Sequence, residues 1–538
     1  MKLRTTISLT TISFALALLA VACKEKPKNE QLVMLLEKNV TTFDPRKSAD
    51  SADARMQQLI FNGLTRKNEK FEAVGDLAES FESSPDYKTW TFKLRQGIKF
   101  HNGKALTSAD VKYTFETLMA PGFGSPKAGD FTATATQPAA SPGASPAASP
   151  AASTRPTLIP LLQIETPDPN TVVFKCTNPM PGLPNQILPV GIIPEGTGET
   201  QAKAPVGTGP FKLVSFTSDQ DVQLTAFDEY FGGKPSVPAI RVKIVPDNST
   251  REAEFRKGSA DAGINLDLEP VTVEQLKKAP GVKVIQSDGT NLAHLGINTT
   301  DPVLKDVKVR QAIAYGIDRD AIIRDLFLGQ AKPASSVLPV NQWAYEPEVT
   351  TYKYDPEKAK QLLDEAGKKQ TGEQPRFKLT LKTSPLSISK KVAEVMQEQL
   401  RKIGIDLAIQ SLENQKLTQD ITEGNFQLYY RVMVGANQST DMFKFAYHTK
   451  SMPPNGQNRM RYSNPKLDKL IDEAALAPAA QRKAMYSEIQ KTLATELPQI
   501  YLWYPAAITV HRERSTGLVQ DPSGDWSVVR NVKLNPQQ

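Results

Sequence analysis

The four histidines could do the widest range of chemistry, because an imidazole can act as a general base or as a metal ligand. They occur at His101, His294, His448 and His511, far apart in the sequence. No HExxH, CxxC or paired-histidine spacing is present, and these are the spacings with which helices and loops hold zinc. The sequence therefore predicts no built-in metal site and no bound cofactor.

Motifs for nucleophilic catalysis and for phosphate binding are also missing from the sequence. Neither a GxSxG elbow nor a P-loop occurs. Gly207-Thr208-Gly209 is superficially similar to a dinucleotide-binding turn, but Pro210 follows it and the third glycine is absent. Pro205 before this run and the apolar run after it favour a tight turn. A catalytic triad assembled from distant residues stays open, but the sequence favours a protein that is not an enzyme.

The N-terminus indicates export. Lys2 and Arg4 precede an apolar stretch over residues 7–22, which is shorter than the roughly 20 apolar residues that span a bilayer. The stretch ends in Leu19-Ala20-Val21-Ala22-Cys23, which resembles a bacterial lipobox. This resemblance implies a signal peptide over 1–22, a lipidated Cys23 and a polar tether over 23–30. An ordinary secretory signal that ends near a cysteine is the alternative.

Length, cysteine count and charge limit the possible classes of protein. Removal of 22 of the 538 residues leaves 516, enough for two to four domains. Cys176 then has no partner for a disulfide, and its place after the run 171–174 predicts a buried position beside a strand. The formal charge of +7 falls to +5 without Lys2 and Arg4, with acidic and basic residues interspersed. This distribution argues against a nucleic-acid partner.

Along the rest of the chain, stretches with the two-residue period of a strand alternate with stretches that have the 3.6-residue period of a helix. This alternation predicts an α/β fold. Residues 90–94 alternate apolar and polar residues as a strand does, and Thr107 to Asp110 form a capping box that opens a helix. Residues 121–156 instead consist mainly of Pro, Ala, Ser, Gly and Thr. Such a composition lacks apolar area, so we expect a disordered insertion here. A tolerated surface loop is its simplest role, with glycosylation or a specific contact as alternatives.

Several sequence blocks resemble one family, and they follow one another in the order that the family shows. The blocks are Asn62-Gly63-Leu64-Thr65, Asp76 to Glu82, Phe92 to Val111, Pro205 to Phe211 and Val309 to Arg319, with weaker matches at Tyr354 to Ala359 and Asn458 to Asp468. The chain is similar through them to the family 5 extracellular solute-binding proteins. That family includes receptors for dipeptides, oligopeptides and nickel chelates that serve ABC importers.

The resemblance implies a two-lobed α/β fold of the periplasmic-binding-protein type (class II, cluster C) with an extra α/β domain inserted in the first lobe. Lobe I would comprise residues 31–56, 196–287 and 501–538, and the extra domain 57–195. Lobe II would comprise 288–500, with hinge segments near 287–294 and 498–502. The ligand would lie between the lobes and favour their closure, which the importer's permease recognises. We expect a monomer on the periplasmic or extracellular side of the cell envelope.

The resemblance also indicates where a ligand would be held. Peptide-binding relatives use an aspartate for the terminal ammonium, and Ala436 stands at that position here. Either Asp441 or another carboxylate replaces it, or the ligand lacks a free α-amine, because an unpaired buried ammonium is costly. Asp441 itself corresponds better to a structural aspartate before a helix. The candidate ligand-binding residues are Trp503, Tyr504, Trp343, Arg431, Asn437 and Gln438.

These observations lead to one main hypothesis and several alternatives. We expect a lipoprotein that binds an oligopeptide or dipeptide and delivers it to an ABC permease. Within the same family, a nickel chelate, haem, an opine or an oligosaccharide could be the ligand instead. A sensory or scaffold lipoprotein without an importer is a further alternative.

Overall fold

The computed structural model describes residues 30–48, 50–134, 158–435, 439–453 and 456–535. The strands within these residues are, in chain order, β1 (Gln31–Leu36), β2 (Thr65–Lys67), β3 (Ala73–Gly75), β4 (Ala78–Ser83), β5 (Thr89–Leu94), β6 (Thr132–Thr134), β7 (Leu158–Pro160), β8 (Leu162–Asp168), β9 (Thr171–Cys176), β10 (Phe211–Thr217), β11 (Asp221–Ala226), β12 (Ala239–Ile244), β13 (Ala262–Ile264), β14 (Val282–Ser287), β15 (Leu292–Ile297), β16 (Ala331–Pro333), β17 (Phe377–Thr383), β18 (Ile405–Ser411), β19 (Leu428–Met433), β20 (Gln499–Pro505), β21 (Ala507–Arg512), β22 (Ser515–Thr516) and β23 (Lys533–Leu534).

The helices cover the faces of the sheets that these strands form. They are α1 (Ser51–Ile60), α2 (Ser108–Met119), α3 (Leu183–Gln186), α4 (Asn248–Lys257), α5 (Pro270–Lys277), α6 (Val307–Gly316), α7 (Arg319–Asp325), α8 (Pro356–Glu365), α9 (Ser387–Arg401), α10 (Asn414–Glu423), α11 (Asp441–Tyr447), α12 (Pro465–Leu476) and α13 (Ala479–Glu496). Among the described residues, no helix has the length and the apolar character needed to cross a membrane.

Lobe I is built around a seven-stranded sheet with the order β10-β11-β12-β1-β13-β21-β14. Strand β1 pairs in parallel with β12 and β13, and β21 pairs antiparallel with β13 and β14. The sheet thus combines strands from both ends of the chain with strands from its middle. Leu32, Met34 and Leu36 of β1 lie on one face and join an apolar core, while Leu35 joins a second core on the other face. Burial on both faces explains the continuous apolar run of this strand.

The extra domain has a four-stranded antiparallel sheet, β4-β5-β9-β8, against which α2 packs. Alternation in β5 buries Trp90, Phe92 and Leu94, as the sequence predicts. The capping box is also confirmed, because Thr107 and Asp110 satisfy each other's backbone groups at the start of α2. The domain's start differs from the predicted boundary at 56/57, because α1 continues to Ile60 and packs in the core of lobe I.

The predicted disordered insertion is wrong over its first part. Residues 128–130 form a 3-10 turn, and β6 pairs antiparallel with β7. Phe131 is fully buried, and its ring meets that of Phe115 edge-on at 5.6 Å between centroids. This single aromatic residue supplies the apolar area that the composition of the segment otherwise lacks. Residues 135–156 of the insertion lie outside the described residues.

Lobe II is built around a six-stranded sheet with the order β16-β20-β15-β19-β17-β18. Helix α9 connects the parallel strands β17 and β18 and buries Val392, Ala393, Met396 and Leu400, a spacing of one, three and four residues that matches one helix face. These side chains join the largest apolar core of lobe II. The arrangement is the strand–helix–strand crossover that parallel strands require.

Two short crossings join the lobes. Residues 288–291 connect β14 to β15, and Ala506 alone separates β20 from β21. The predicted second crossing at 498–502 and the boundary at 500/501 are therefore misplaced, because β20 stays in the lobe II sheet until Pro505 pairs with Ala331. The crossings touch each other, since a Cβ atom added to Gly289 would lie 2.0 Å from the carbonyl oxygen of Pro505.

We predict that Gly289→Ala lowers the free energy of unfolding by about 2 kcal/mol or more, because the new methyl group would meet backbone atoms that cannot move aside. Urea denaturation of the purified protein measures this change. Gly129→Ala is the matched control, because a Cβ atom there meets nothing within 4 Å. Equal stability of the two variants would contradict the tight contact between the crossings.

Candidate interlobe binding cleft

The carboxyl ends of the parallel strands in the two sheets face each other. In lobe I, β1, β12, β13 and β14 all end at the edge from which the first crossing leaves. In lobe II, β17, β19 and β20 end at the edge where this crossing enters β15. Small molecules bind in α/β proteins at such carboxyl edges, where loops supply polar groups. The space between the two edges is therefore the candidate binding cleft.

The two walls of this cleft contact each other near the crossings. The amide of Gln330 in lobe II donates to the carbonyl of Pro270 and to the carboxylate of Glu274 in lobe I, each at 3.0 Å. The ammonium of Lys391, in α9, lies 3.8 Å from the carboxylate of Glu269, which caps α5. In this conformation these contacts join the lobe II sheet to lobe I on this side.

The extra domain contacts lobe II at a second place. The guanidinium of Arg482 donates to the hydroxyl of Tyr87 at 3.1 Å and lies over its ring at 5.7 Å from the centroid. Nearby, a Cβ atom added to Gly182 would lie 2.5 Å from a carboxylate oxygen of Asp441. Glycine thus permits the extra domain to approach the start of α11 closely. The walls touch near the crossings and again at the extra domain.

One carboxylate from each wall, Asp441 of lobe II and Asp130 of the extra domain, has a raised pKa near this second contact. Burial raises the pKa of Asp441, although the hydroxyl of Ser439 donates to it at 3.0 Å and lowers it in part. Surrounding protein atoms and then the charge of Asp441 raise the pKa of Asp130 to about 6, against the opposing effect of Lys127. The charges of Arg482 and Lys444 also lower the pKa of Asp441 in part, so both carboxylates have basic neighbours.

The aromatic candidates on β20 lie in the core of lobe II. Trp503 is fully buried, with its ring 5.0 Å from that of Phe327 and 6.2 Å from that of Tyr430. Its indole N–H has no hydrogen-bond partner within the described part of the chain. The hydroxyl of Tyr504 lies 2.6 Å from the carbonyl of Ser336 and is equally buried. In this conformation neither ring lines the cleft, because β20 is covered on both faces.

Two of the remaining candidates, Trp343 and Arg431, are half-buried on other elements of lobe II. Trp343 is half-buried, and its ring meets Tyr486 edge-on at 5.8 Å. Arg431 is half-buried on β19 and donates to the hydroxyl of Thr418 at 3.0 Å. Asn437 and Gln438, together with Ala436, lie outside the described residues. The contacts given for the four described candidates do not join them into one site.

Sequence reasoning missed the residues that connect the walls. Arg482 and Tyr87 are almost four hundred positions apart, and nothing in either local sequence marks them as a pair. One weak feature of the sequence marks the position of Asp130. It precedes Phe131, which is the only aromatic residue after Phe123 in the segment 121–156.

Metal and thiol chemistry receive no support from the described residues. No group of three or more His, Cys, Asp or Glu side chains among them could hold a metal ion. Cys176 ends β9 and is buried, as its sequence position predicts. Burial raises the pKa of its thiol to about 11, which keeps it protonated and unreactive near neutral pH.

Comparison with known proteins places these features in a family context. Residues 72–453 match the family model described as bacterial extracellular solute-binding proteins, family 5. A putative ABC transporter peptide-binding protein from Brucella ovis is 32% identical over 462 residues, which are 82% of this chain and 81% of the relative. The dipeptide-binding protein of Escherichia coli K12 is 27% identical over 95% of this chain and 96% of its own.

Solved structures show the same fold. The oligopeptide-binding protein AppA from Bacillus subtilis, in complex with a nonapeptide, superposes with a TM-score of 0.75 at 24% identity. The superposition covers 94% of this chain and 99% of the AppA chain. NikZ from Campylobacter jejuni, in complex with Ni(L-His), gives 0.76 at 21% identity, over 94% of this chain and 100% of its own. The predicted two-lobed α/β fold is confirmed.

We predict that Asp130 contributes more to the free energy of unfolding as the pH falls. A carboxyl group whose pKa rises to about 6 on folding, from an ordinary 3.8, stabilises the fold in its protonated form. Its contribution should therefore increase as the pH falls from 7.5 through 6 toward 4. Asp130→Asn should raise stability at pH 7.5 and reduce the pH dependence, as measured by urea denaturation at several pH values.

The control for this experiment is Asp168→Asn. Asp168 is exposed, and hydrogen bonds from Thr171 and Asn170 lower the pKa of its carboxyl. This variant should show no stabilisation at pH 7.5. If Asp130→Asn behaved like Asp168→Asn, the two facing carboxylates would not repel each other in the folded protein.

Proposed function

The chain belongs to family 5 of the bacterial extracellular solute-binding proteins, and we propose that it captures an oligopeptide or dipeptide between its lobes and delivers it to the permease of an ABC importer. One observation carries this proposal. Two sheets, joined by two short crossings, direct the carboxyl ends of their parallel strands at a common cleft. Two relatives that are described as peptide-binding or dipeptide-binding proteins are 32% and 27% identical to this chain, and they support a peptide as the solute.

Closure of the cleft would depend on the solute. The ion pair of Lys391 with Glu269 is exposed, and a pair of this kind contributes about 1 kcal/mol or less. The other wall contacts in the described part of the chain are single hydrogen bonds, each also of about 1 kcal/mol. Contacts this weak leave an equilibrium between open and closed arrangements. A solute that touches both walls binds the closed arrangement more tightly and shifts the population toward it. The permease would then distinguish loaded from empty receptor by its shape.

The terminal ammonium of a peptide would also find acidic partners at the contact between the extra domain and lobe II. By the family resemblance, Ala436 stands where peptide-binding relatives hold this ammonium with an aspartate. The charge of Asp441 in lobe II raises the pKa of Asp130 in the extra domain, as repulsion between two carboxylates does. An ammonium between them would relieve this repulsion and compensate both charges. We therefore assign the role of ammonium partner to these two carboxylates.

A non-peptide solute is the second candidate. The alanine at 436 favours it, because a ligand without an α-amine would not need the missing aspartate. Structures with the same fold include complexes with Ni(L-His) and with mannopinic acid. Such a ligand would leave Asp130 and Asp441 without a cationic partner, and for this reason we place it second.

We also propose that the protein binds its solute without converting it, and that a lipid attaches the protein to the cell envelope. The family consists of extracellular solute-binding proteins, and their role in transport requires that the solute be released unchanged. Cys23 lies outside the described residues, and its lipobox-like surroundings support a diacylglycerol anchor. The chain would act as a monomer on the outer side of a membrane, next to its permease.

Native mass spectrometry of the full chain, extracted in mild detergent after expression with its own leader, tests these assignments together. We predict a chain that begins at Cys23 and carries the mass of its lipid, together with co-purified peptides that leave on unfolding. Asp441→Asn should retain less peptide, because it removes one carboxylate from the ammonium site. Asp86→Asn, at an exposed position on the extra domain, is the matched control.

Other outcomes would redirect or contradict the proposal. A single non-peptide mass would support the second candidate. A chain without bound solute, whose unfolding temperature no peptide raises, would contradict peptide capture. An unmodified Cys23 within an otherwise processed chain would contradict the lipid anchor while leaving solute binding intact.

A further inference from the structure

A positively charged surface lies at the end of lobe I that is opposite to the cleft. Strands β1, β12, β13 and β14 direct their carboxyl ends at the cleft, so their amino ends share the far edge of the sheet. Helices α4 and α5 each connect two of these parallel strands, and they therefore run back from the cleft to this amino edge. The last turns of both helices and the end of β21 meet there.

Arg512, which ends β21, joins the last turns of the two helices. Its guanidinium donates to the carbonyl of Phe255 at 3.3 Å and to that of Pro280 at 3.1 Å. Lys257 is the last residue of α4 and is two positions from Phe255. Lys278 directly follows α5 and is two positions from Pro280. The two lysines therefore flank Arg512.

A third lysine reaches the amino edge from the C-terminal end of the chain. Strands β22 and β23 pair so that Lys533 lies opposite Thr516, a few residues after β21 ends. The backbone N–H of Asn535 donates to the carbonyl of Arg514 at 2.7 Å. The guanidinium of Arg514 donates in turn to the carbonyl of Gln31 at 3.3 Å. Lys533 thus lies near the start of β1.

The three lysines are exposed, and we call the surface that they form with Arg512 the basic face. Among the described residues, no carboxylate lies within 4.0 Å of their ammonium groups. The neighbouring carboxylate of Asp261 is buried and pairs with Arg514. That of Glu513 pairs with Lys283 at 3.0 Å. The basic face therefore carries a net positive charge, which the fold assembles from distant parts of the sequence.

The N-terminal segment of the chain leaves lobe I at the same edge. Gln31 is the first residue of β1, and Cys23 is eight positions before it. At about 3.5 Å per residue at most, these eight positions span no more than about 28 Å. A lipid on Cys23 would therefore keep the basic face within this distance of the membrane. The six residues of β1 separate the amino edge from the cleft by about 20 Å.

We propose that the basic face is a docking surface for anionic lipid headgroups, on which the lipid-anchored protein stands with lobe II farthest from the membrane. This inference rests on the lipid anchor of the proposed function. Phosphate groups of the lipids complement the ammonium groups, and each lysine close to an anionic surface strengthens binding roughly fivefold. The anchor raises the effective concentration of the basic face at the membrane, so that a few weak contacts suffice to orient the protein.

This orientation has a consequence for solute capture. Lobe I would rest on the membrane, while lobe II would be free to open and close above it. The cleft would then lie away from the headgroups and remain accessible to solute. Since electrostatic contacts of this kind are individually weak, the protein could leave the lipid surface to meet its permease.

The first test measures whether the basic face binds lipid without the anchor. The mature chain with Cys23→Ala is sedimented with vesicles of phosphatidylcholine alone or of phosphatidylcholine and phosphatidylglycerol in equal amounts. We expect binding only to the vesicles that contain phosphatidylglycerol. The triple variant Lys257→Gln, Lys278→Gln and Lys533→Gln should bind them about a hundredfold more weakly, since three roughly fivefold contributions are lost.

The matched control removes the same charge from lobe II. It is the triple variant Lys305→Gln, Lys402→Gln and Lys483→Gln, at exposed lysines that also have no carboxylate within 4.0 Å among the described residues. This control should bind the vesicles as the wild type does. An equal loss of binding in both triple variants would show a response to net charge alone and would overturn the docking surface. Equal thermal midpoints check that all three proteins are folded.

The second test measures orientation in the lipidated chain on the same vesicles. A donor dye is placed at Ser259→Cys, next to the basic face, or at Lys469→Cys in lobe II, both exposed positions. Energy transfer to an acceptor on the lipid headgroups should be stronger from position 259 than from position 469. The triple variant of the basic face should lose this difference, and the control should keep it. Equal transfer from both positions of the wild type would contradict the orientation.

The outcomes separate this inference from the proposed function. If the unlipidated wild type bound both kinds of vesicle equally, the docking surface would be wrong and peptide capture would stand. An unmodified Cys23 would contradict the lipid anchor, while the first test would still decide whether the basic face binds headgroups. A chain that bound the vesicles as expected but retained no peptide would contradict peptide capture alone.

Discussion

The two chain crossings between the sheets are the constraint on which the rest of the structure depends. Each crossing links strands that lie next to each other in their sheets, since β14 pairs with β21 and β15 pairs with β20. The crossings are therefore neighbours, and Gly289 packs against the backbone of Pro505. Such a connection lets the lobes rotate about one line while it keeps the two strand edges facing each other. The position of the cleft follows from this connectivity more than from any single side chain.

The walls of the cleft also meet away from the crossings, where Arg482 donates to the hydroxyl of Tyr87 and Gly182 lies against Asp441. Burial raises the pKa of Asp441, and the charge of Asp441 contributes to the raised pKa of Asp130 in the extra domain. In the proposed function, a cationic group of the solute between these carboxylates would lower the cost of keeping both of them ionised. Solute binding would then add to the few polar contacts described between the extra domain and lobe II.

Local patterns in the sequence predicted those elements whose conformation depends on residues close together in the chain. The alternation of β5 and the capping box at Thr107 each involve residues at most three positions apart in the chain. The second crossing was misplaced because β20 and β21 form one apolar run, in which only the pairing of Pro505 with Ala331 marks the change of sheet. Trp503 packs in the apolar core of lobe II beside Phe327. Contacts such as that of Arg482 with Tyr87 depend on the whole fold, and no local signal predicts them.

The central claim is that a solute holds the two lobes closed, and the distance between them tests it most directly. Spin labels at Lys175→Cys in the extra domain and Lys469→Cys in lobe II, both exposed positions, would report this distance by pulsed electron spin resonance. The buried Cys176 thiol should remain unlabelled. Protein that retains its solute should give one short, narrow distance, and stripped protein should give longer and broader distances that revert when the solute is returned. Identical distributions with and without solute would contradict the account.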